Sequence, residues 1–132
     1  MSDELYQAEI LARAKDPARA GRLENPDRTA TVDNPLCGDR VTLDLALADG
    51  RVAAVRHHVR GCALCKAAAS TLAGELDGRG PEALAVAEAA LGRVLDGGSG
   101  GVWDVFAPVG RHKSRHDCVR LPLAAARAAF GA

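Results

Sequence analysis

The sequence predicts an α+β fold in which a small antiparallel sheet of about three strands packs against a cluster of helices. A strictly alternating run, residues 41–48, is followed by a turn and a second apolar run, a pattern typical of a hairpin. After it, alanine-rich stretches carry apolar residues at three-to-four spacing, which predicts helices. Aromatic residues make up only 3% of the chain, so closely packed Leu, Val and Ala must form the core. A length of 132 residues favours one domain, residues 1–132.

The N-terminal quarter predicts one helix and a long connection. Apolar residues at helical spacing predict an amphipathic helix over residues 2–14, which Pro17 ends. Segment 17–35 is polar and contains three prolines and Gly21, so we expect it to lie on the domain as a connecting segment. Within it, only residues 30–32 could begin a strand.

The hairpin is the clearest feature of the sheet, but two registers are open. Residues 41–48 form the first strand, Asp49-Gly50 the turn and residues 52–59 the second strand. A two-residue loop would put His58 opposite Val41. A three-residue loop would align Ala53, Val55 and Val59 with the apolar face of the sheet. This alternative is favoured because it buries more carbon.

Helices are expected to fill the rest of the chain. One begins at Cys62, directly after Gly61, and runs to Leu76, and a second follows Pro81. The glycine tract 97–101 ends that second helix and is interpreted as a flexible connector.

The last part of the chain predicts a short element and a terminal helix. Trp103 and Phe106 lie in a stretch expected to form a short helix or turn against the core. The terminal helix is expected over residues 121–130, with Pro122 tolerated only in its first turn.

Charge and hydropathy exclude several functional classes. The chain has 17 basic and 17 acidic residues without a long block of either sign, so we expect neither nucleic acid nor an anionic membrane as a partner. An acidic N-terminus without an apolar stretch behind it, and no run of about 18 apolar residues, predict a cytoplasmic protein. In a reducing compartment, four cysteines favour metal binding or thiol chemistry over disulfides.

Two cysteines lie beside turn-forming residues. Cys37 belongs to Asn34-Pro35-Leu36-Cys37-Gly38-Asp39, so its thiol and the Asp39 carboxylate are expected on a loop. Cys62 opens a helix, where free backbone N–H groups and the helix dipole favour a thiolate. Tetrahedral zinc accepts thiolates, imidazoles and carboxylates, so these three residues would leave a fourth corner for Cys118. The alternative for any single cysteine is a buried, inert side chain.

The order of these motifs resembles a known family. Asn34-Pro35-x-Cys37-Gly38-Asp39 is followed by Gly61-Cys62 opening an Ala/Ser-rich helix and by Cys118. Further matches in the same order are Tyr6, Ile10-Leu11 and the segment Gly21-Arg22-Leu23. Over nearly its whole length the chain thus resembles the NifU/IscU/SufU iron-sulfur cluster assembly scaffolds, which implies a NifU/IscU-like fold.

Within this family the chain looks more like the SufU-type branch. Asp117, not histidine, precedes Cys118, and the interval of 56 positions from Cys62 to Cys118 is longer than in IscU-type members. The resemblance implies a zinc or iron-sulfur centre on Cys37, Asp39, Cys62 and Cys118, with Cys118 as a persulfide acceptor.

The resemblance also implies partners and a role. We expect a scaffold or sulfur carrier rather than a turnover enzyme, one that accepts sulfur from a cysteine desulfurase and builds or transfers a cluster to recipient apoproteins. The alternative is a zinc-dependent persulfide acceptor that activates the desulfurase. A second alternative is a structural zinc module used for protein contact.

Two more residues are possible substitute ligands. Cys65 departs from the family's pattern and forms Cys62-Ala63-Leu64-Cys65 with the preceding cysteine; it could replace a ligand, form a disulfide with Cys62 or simply pack. A thioredoxin-like role is disfavoured because the preceding strand is expected in an antiparallel hairpin. His116 could bind the metal, whereas His57 and His58 are expected to be ordinary strand residues.

Overall fold

In the computed structural model, which describes residues 7–131, three strands and four α-helices follow one another along the chain. The strands are β1 (Arg28–Asn34), β2 (Asp39–Ala48) and β3 (Arg51–Arg60). The α-helices are α1 (Ala8–Lys15), α2 (Ala63–Leu76), α3 (Glu82–Leu95) and α4 (His116–Phe130). Two 3₁₀ segments, Gly101–Arg111 and Lys113–Arg115, connect α3 to α4.

The sheet is antiparallel with the order β1-β2-β3, and helices cover one face of it. Helix α4 packs on β1 and β2, and α2 packs on β3 as well as on α1 and α4. The buried core between them is formed mainly by Leu, Val and Ala, with Trp103 and Phe106 packing from the 3₁₀ segment. This arrangement brings the N-terminal ends of β2, α2 and α4 together.

The register of the hairpin combines features of both alternatives. Ala48 pairs with Arg51, so the loop has two residues and the predicted three-residue loop is wrong. A β-bulge between Ala46 and Leu47 then shifts the pairing by one residue, so Val41 faces Val59 as the favoured alignment requires. The extra residue on β3 is Ala53. It is exposed, so the expectation that it lies on the apolar face is wrong.

Several predicted boundaries differ from the observed ones. Helix α4 begins at His116, five residues before the predicted start, so Pro122 lies inside the helix and not in its first turn. The predicted residues 2–6 of the first helix, Tyr6 among them, lie outside the described residues. The helix expected from Cys62 and the one expected after Pro81 are confirmed.

Between residues 7 and 131, none of the helices combines the length and the apolar character that crossing a bilayer requires.

Candidate metal centre

The β1–β2 hairpin carries the first two residues of the centre. Its loop is closed by the Gly38 N–H donating to the Asn34 carbonyl at 2.8 Å, and Gly38 takes a positive φ of 76° that suits glycine. Cys37 is exposed on this loop. Asp39, expected on the loop as well, is instead the first residue of β2 and only 4% exposed. The hairpin therefore presents an accessible thiol beside a buried carboxylate.

Cys62 is fixed to that carboxylate from the start of α2. It is the N-cap residue of the helix, and its backbone N–H donates to Asp39 Oδ1 at 3.1 Å. Its thiol donates to Oδ2 of the same carboxylate at 3.5 Å. A carboxylate at a helix N-terminus is stabilised by the unpaired N–H groups there.

Gly61 makes this contact possible, a role that the sequence analysis missed. A Cβ atom at this position would lie 2.2 Å from Asp39 Oδ1 and 2.7 Å from its Cγ. The sequence indicated only that Gly61 ends the strand. Close approach of a carboxylate is a reason for glycine that no local pattern reveals.

Cys118 reaches the centre from α4. It lies in the first turn of that helix, and because α4 packs on β1 and β2 the residue is 1% exposed. Ligand atoms of Cys37, Asp39 and Cys118 all lie within 4.8 Å of one another. Cys62 is outside this group of three, but its thiol is hydrogen-bonded to Asp39, and it is near enough to Cys118 to help raise the pKa of that thiol. The four residues expected at the site are thus close together.

Burial and mutual repulsion keep the deeper thiols protonated. Burial raises the pKa of Cys118 to about 12, with help from the nearby Cys62 and Cys37, while the charge of Arg115 opposes the shift. Burial also raises the pKa of Cys65, and the negative groups that add to this are the four residues of the centre. A bound cation would reverse the balance, because it favours thiolates.

The two possible substitute ligands lie differently. Cys65 is fully buried on the first turn of α2, three residues after Cys62. His116 is half-buried, and its Nε2 lies 3.2 Å from the Gly110 carbonyl, a hydrogen-bonding distance, so this nitrogen is engaged away from the thiols. His57 is buried on β3 and His58 is exposed, as ordinary strand residues are.

Three thiols and one carboxylate form a donor set that suits zinc or iron. Zinc accepts four such ligands in a tetrahedron, and thiolates are the usual ligands of iron-sulfur clusters. Which ion or cluster these four residues hold, and whether all four ligate it, stays a prediction.

Comparison with known proteins places the chain in a recognisable group. The sequence model of the family described as NifU-like N terminal domain matches residues 5–130. The iron-sulfur cluster assembly scaffold proteins IscU 1 and IscU 2 of Archaeoglobus fulgidus are each 29% identical over 94 residues, which cover 70% of this chain. The matched part spans 61% of the length of these curated relatives.

Solved structures share the fold. One is the crystal structure of a nitrogen-fixing NifU-like protein (N-terminal) from Brucella abortus, which is 34% identical in sequence to this chain. The two superpose with a TM-score of 0.87 over 97% of this chain and 93% of the Brucella chain. A SUF-system assembly scaffold protein, described as putative, from Fervidobacterium islandicum is 24% identical, with a TM-score of 0.88 and 98% coverage of both chains. The second likeness concerns the fold alone, and together they confirm the predicted α+β architecture.

Proposed function

Because the chain belongs to the NifU-like N-terminal domain family, we propose that it is an iron-sulfur cluster assembly scaffold that builds and transfers a cluster on Cys37, Asp39, Cys62 and Cys118. The observation that carries the proposal is the convergence of side chains from β2, its preceding loop, α2 and α4, with three of the ligand atoms within 4.8 Å of one another. The names of the Archaeoglobus relatives support the same role.

The donor set fits a cluster that is held and then released. Thiolates bind iron strongly, whereas a carboxylate binds soft metals more weakly, so Asp39 would make the centre exchangeable. Cys37 is exposed on its hairpin loop, while Cys118 is buried. A cluster bound here would therefore be reachable from the hairpin side and anchored on the α4 side.

The substrates of such a scaffold define its partners. Iron and sulfur must be supplied, and we propose that a cysteine desulfurase delivers the sulfur as a persulfide to Cys118. Arg115, which acts electrostatically on Cys118, would stabilise the anionic form of the incoming sulfur. Recipient apoproteins would then take the finished cluster.

A second candidate is a zinc-dependent persulfide acceptor that activates the desulfurase. It is favoured by the count of donors, since three thiols and one carboxylate complete a tetrahedral zinc site without any ligand from solvent. In that case zinc would shield the thiolates until a partner displaces one of them. A structural zinc module would have the same ligands but unreactive thiols.

One anaerobic reconstitution separates these possibilities. The chain is mixed with ferrous iron, cysteine and a cysteine desulfurase, and visible absorption is recorded beside the iron, sulfide and zinc contents. A cluster spectrum that is lost in Cys37→Ser supports the scaffold. Tightly held zinc with faster desulfurase turnover supports the acceptor, whereas inert zinc with a Cys118 that resists alkylation indicates a structural module. No metal and no spectrum would contradict all three.

A further inference from the structure

Cys65 is the cysteine that is not one of the four proposed ligands. It lies three residues after Cys62 on the first turn of α2 and is 0% exposed. Two thiols at this spacing, one at the helix N-cap and one buried behind it, have the local arrangement of a redox-active dithiol. The antiparallel sheet excludes a thioredoxin fold but does not change this local geometry.

The chemistry of sulfur delivery creates a need for such a dithiol. A persulfide carries its outer sulfur at the oxidation level of elemental sulfur, whereas a cluster contains sulfide. Each sulfur therefore requires two electrons, and two thiols supply them when they join in a disulfide. Cys62 Sγ lies 3.5 Å from an oxygen of Asp39, and a carboxylate oxygen of Asp39 lies within 4.8 Å of Cys118 Sγ. Cys65 follows Cys62 by three residues on the first turn of α2, and both other cysteines help to raise its pKa. The three sulfurs are therefore grouped at one place.

We propose that Cys62 and Cys65 form an internal dithiol that reduces persulfide sulfur on Cys118 to sulfide, an inference that rests on the sulfur delivery proposed above. In the first step Cys62 attacks the inner sulfur of the Cys118 persulfide, which forms a Cys62–Cys118 disulfide and expels the outer sulfur as hydrogen sulfide. In the second step Cys65 attacks Cys62, which forms a Cys62–Cys65 disulfide and frees Cys118, and the proton of Cys65 passes to Cys118.

The burial of Cys65 suits this role. A fully buried thiol is reached only from inside the centre, so external oxidants do not compete with the mixed disulfide. The oxidised pair then lies on one helical turn, Cys118 is free for the next sulfur, and an external dithiol reductant restores the pair.

Tryptic peptides allow the steps to be separated. Cleavage after Arg60 and Lys66 gives a peptide of residues 61–66 that contains both Cys62 and Cys65, and residues 116–120 form another that contains Cys118. The full-length, metal-depleted chain is treated anaerobically with inorganic polysulfide, which supplies sulfane sulfur without a desulfurase. Released sulfide is quantified, free thiols are alkylated, and disulfides are assigned by mass spectrometry of the unreduced digest.

The wild-type chain is expected to release sulfide and to carry the disulfide within peptide 61–66. Cys65→Ser should release sulfide but stall, raising the cross-link between the two peptides by about tenfold or more. Cys62→Ser should keep the persulfide on Cys118 and release no sulfide beyond that which polysulfide itself expels when it donates sulfane sulfur, and Cys118→Ser should not form the internal disulfide. Circular dichroism and thermal unfolding check that each variant is folded.

Four outcomes would overturn the inference. They are no persulfide on Cys118, no internal disulfide in the wild type, no excess cross-link in Cys65→Ser, and an internal disulfide that forms equally fast in Cys118→Ser. Each is independent of cluster assembly: a chain that passes these tests but forms no cluster would contradict the scaffold proposal alone. A chain that forms a cluster normally but fails them would contradict the role of Cys65 alone.

Discussion

Strand β2 carries two buried carboxylates, and their surroundings are opposite. Asp44 is 0% exposed, and it accepts hydrogen bonds at 2.7 to 3.2 Å from a guanidinium, a hydroxyl and a backbone N–H, those of Arg22, Thr29 and Leu23. Asp39 is 4% exposed, and it accepts hydrogen bonds from the neutral backbone N–H and thiol of Cys62. Two further thiols, those of Cys37 and Cys118, flank Asp39.

The difference separates a structural carboxylate from a ligand. The charge of Asp44 is compensated by Arg22, which ties the segment before β1 onto the outer face of the sheet. Burial alone would raise the pKa of Asp44, but its hydrogen bonds and the charge of Arg22 outweigh this and lower it. Asp39 lies among cysteine thiols, which become anionic thiolates when they bind a metal. A metal cation would then offset the repulsion between these thiolates and the carboxylate.

The structural role of Asp44 is tested by Asp44→Ala, the variant with the largest expected effect on stability. Asp44→Ala leaves the guanidinium, the hydroxyl and the N–H without their acceptor, so we expect the free energy of unfolding to fall by about 3 kcal/mol. Urea unfolding measures it, and elemental analysis should show unchanged metal binding. The control is Asp33→Ala, which removes a half-exposed ion pair with Arg40 and should cost less than about 1 kcal/mol. Equal losses in both variants would contradict the comparison.

Gly61→Ala tests the position of Asp39. The new Cβ atom would lie 2.2 Å from Oδ1, so the carboxylate must move away from Cys62. We expect a loss of about 2 kcal/mol in stability and, because the displaced carboxylate is the weak ligand, slower transfer of bound metal to a chelator, as in Asp39→Ala. Gly92→Ala is the matched control, because nothing lies within 4 Å of a Cβ there and the helix should gain up to about 1 kcal/mol. Release of metal from Gly61→Ala at the wild-type rate would show that Asp39 is not a ligand.

Asp39→Ala tests the exchangeable character of the centre. Removing the weak oxygen ligand also frees the Cys62 thiol from its hydrogen bond to Asp39, so bound metal or cluster should leave about tenfold more slowly. The rate of transfer to a chelator measures this, with Asp44→Asn as the control that should release at the wild-type rate. Faster release from Asp39→Ala would contradict the proposed role.

The smallest effect concerns acid stability. Because the pKa of Asp44 is lowered in the folded chain, its charge stabilises the fold above the ordinary value of 3.8, and this contribution is lost as the pH falls through the lowered pKa. The stability difference between wild type and Asp44→Asn should therefore be constant near neutral pH and narrow below about pH 4. Urea unfolding at a series of pH values measures it, and a difference that widens in acid would show the opposite sign.

Local sequence patterns predicted correctly those elements whose structure depends mainly on neighbouring residues. The alternation of residues 41–48 and the helix formers after Cys62 predicted β2 and α2 correctly, because side-chain period and backbone propensity are properties of neighbouring residues. The turn at Asp49-Gly50 was also predicted. The length of the loop was not, because the bulge at Ala46 and Leu47 depends on which side chains the helices cover.

Long-range packing decided the rest. The start of α4 at His116 follows from its packing on β1 and β2, whereas the local sequence, with Pro122 after it, indicated a later start. Burial of Cys65 and the tie between Arg22 and Asp44 likewise join parts of the chain that no periodicity connects.

The sequence by itself determined the family and most of the elements, and it singled out Cys37, Asp39, Cys62 and Cys118 as candidate ligands, because the order of motifs along the chain can be read without coordinates. Only the tertiary structure decided how these residues meet. Cys37 and Cys118 are 81 positions apart, and they become neighbours because α4 packs across the hairpin. It also decided that Asp39, unlike Asp44, is buried among thiols, and this follows from the side of β2 on which each residue lies.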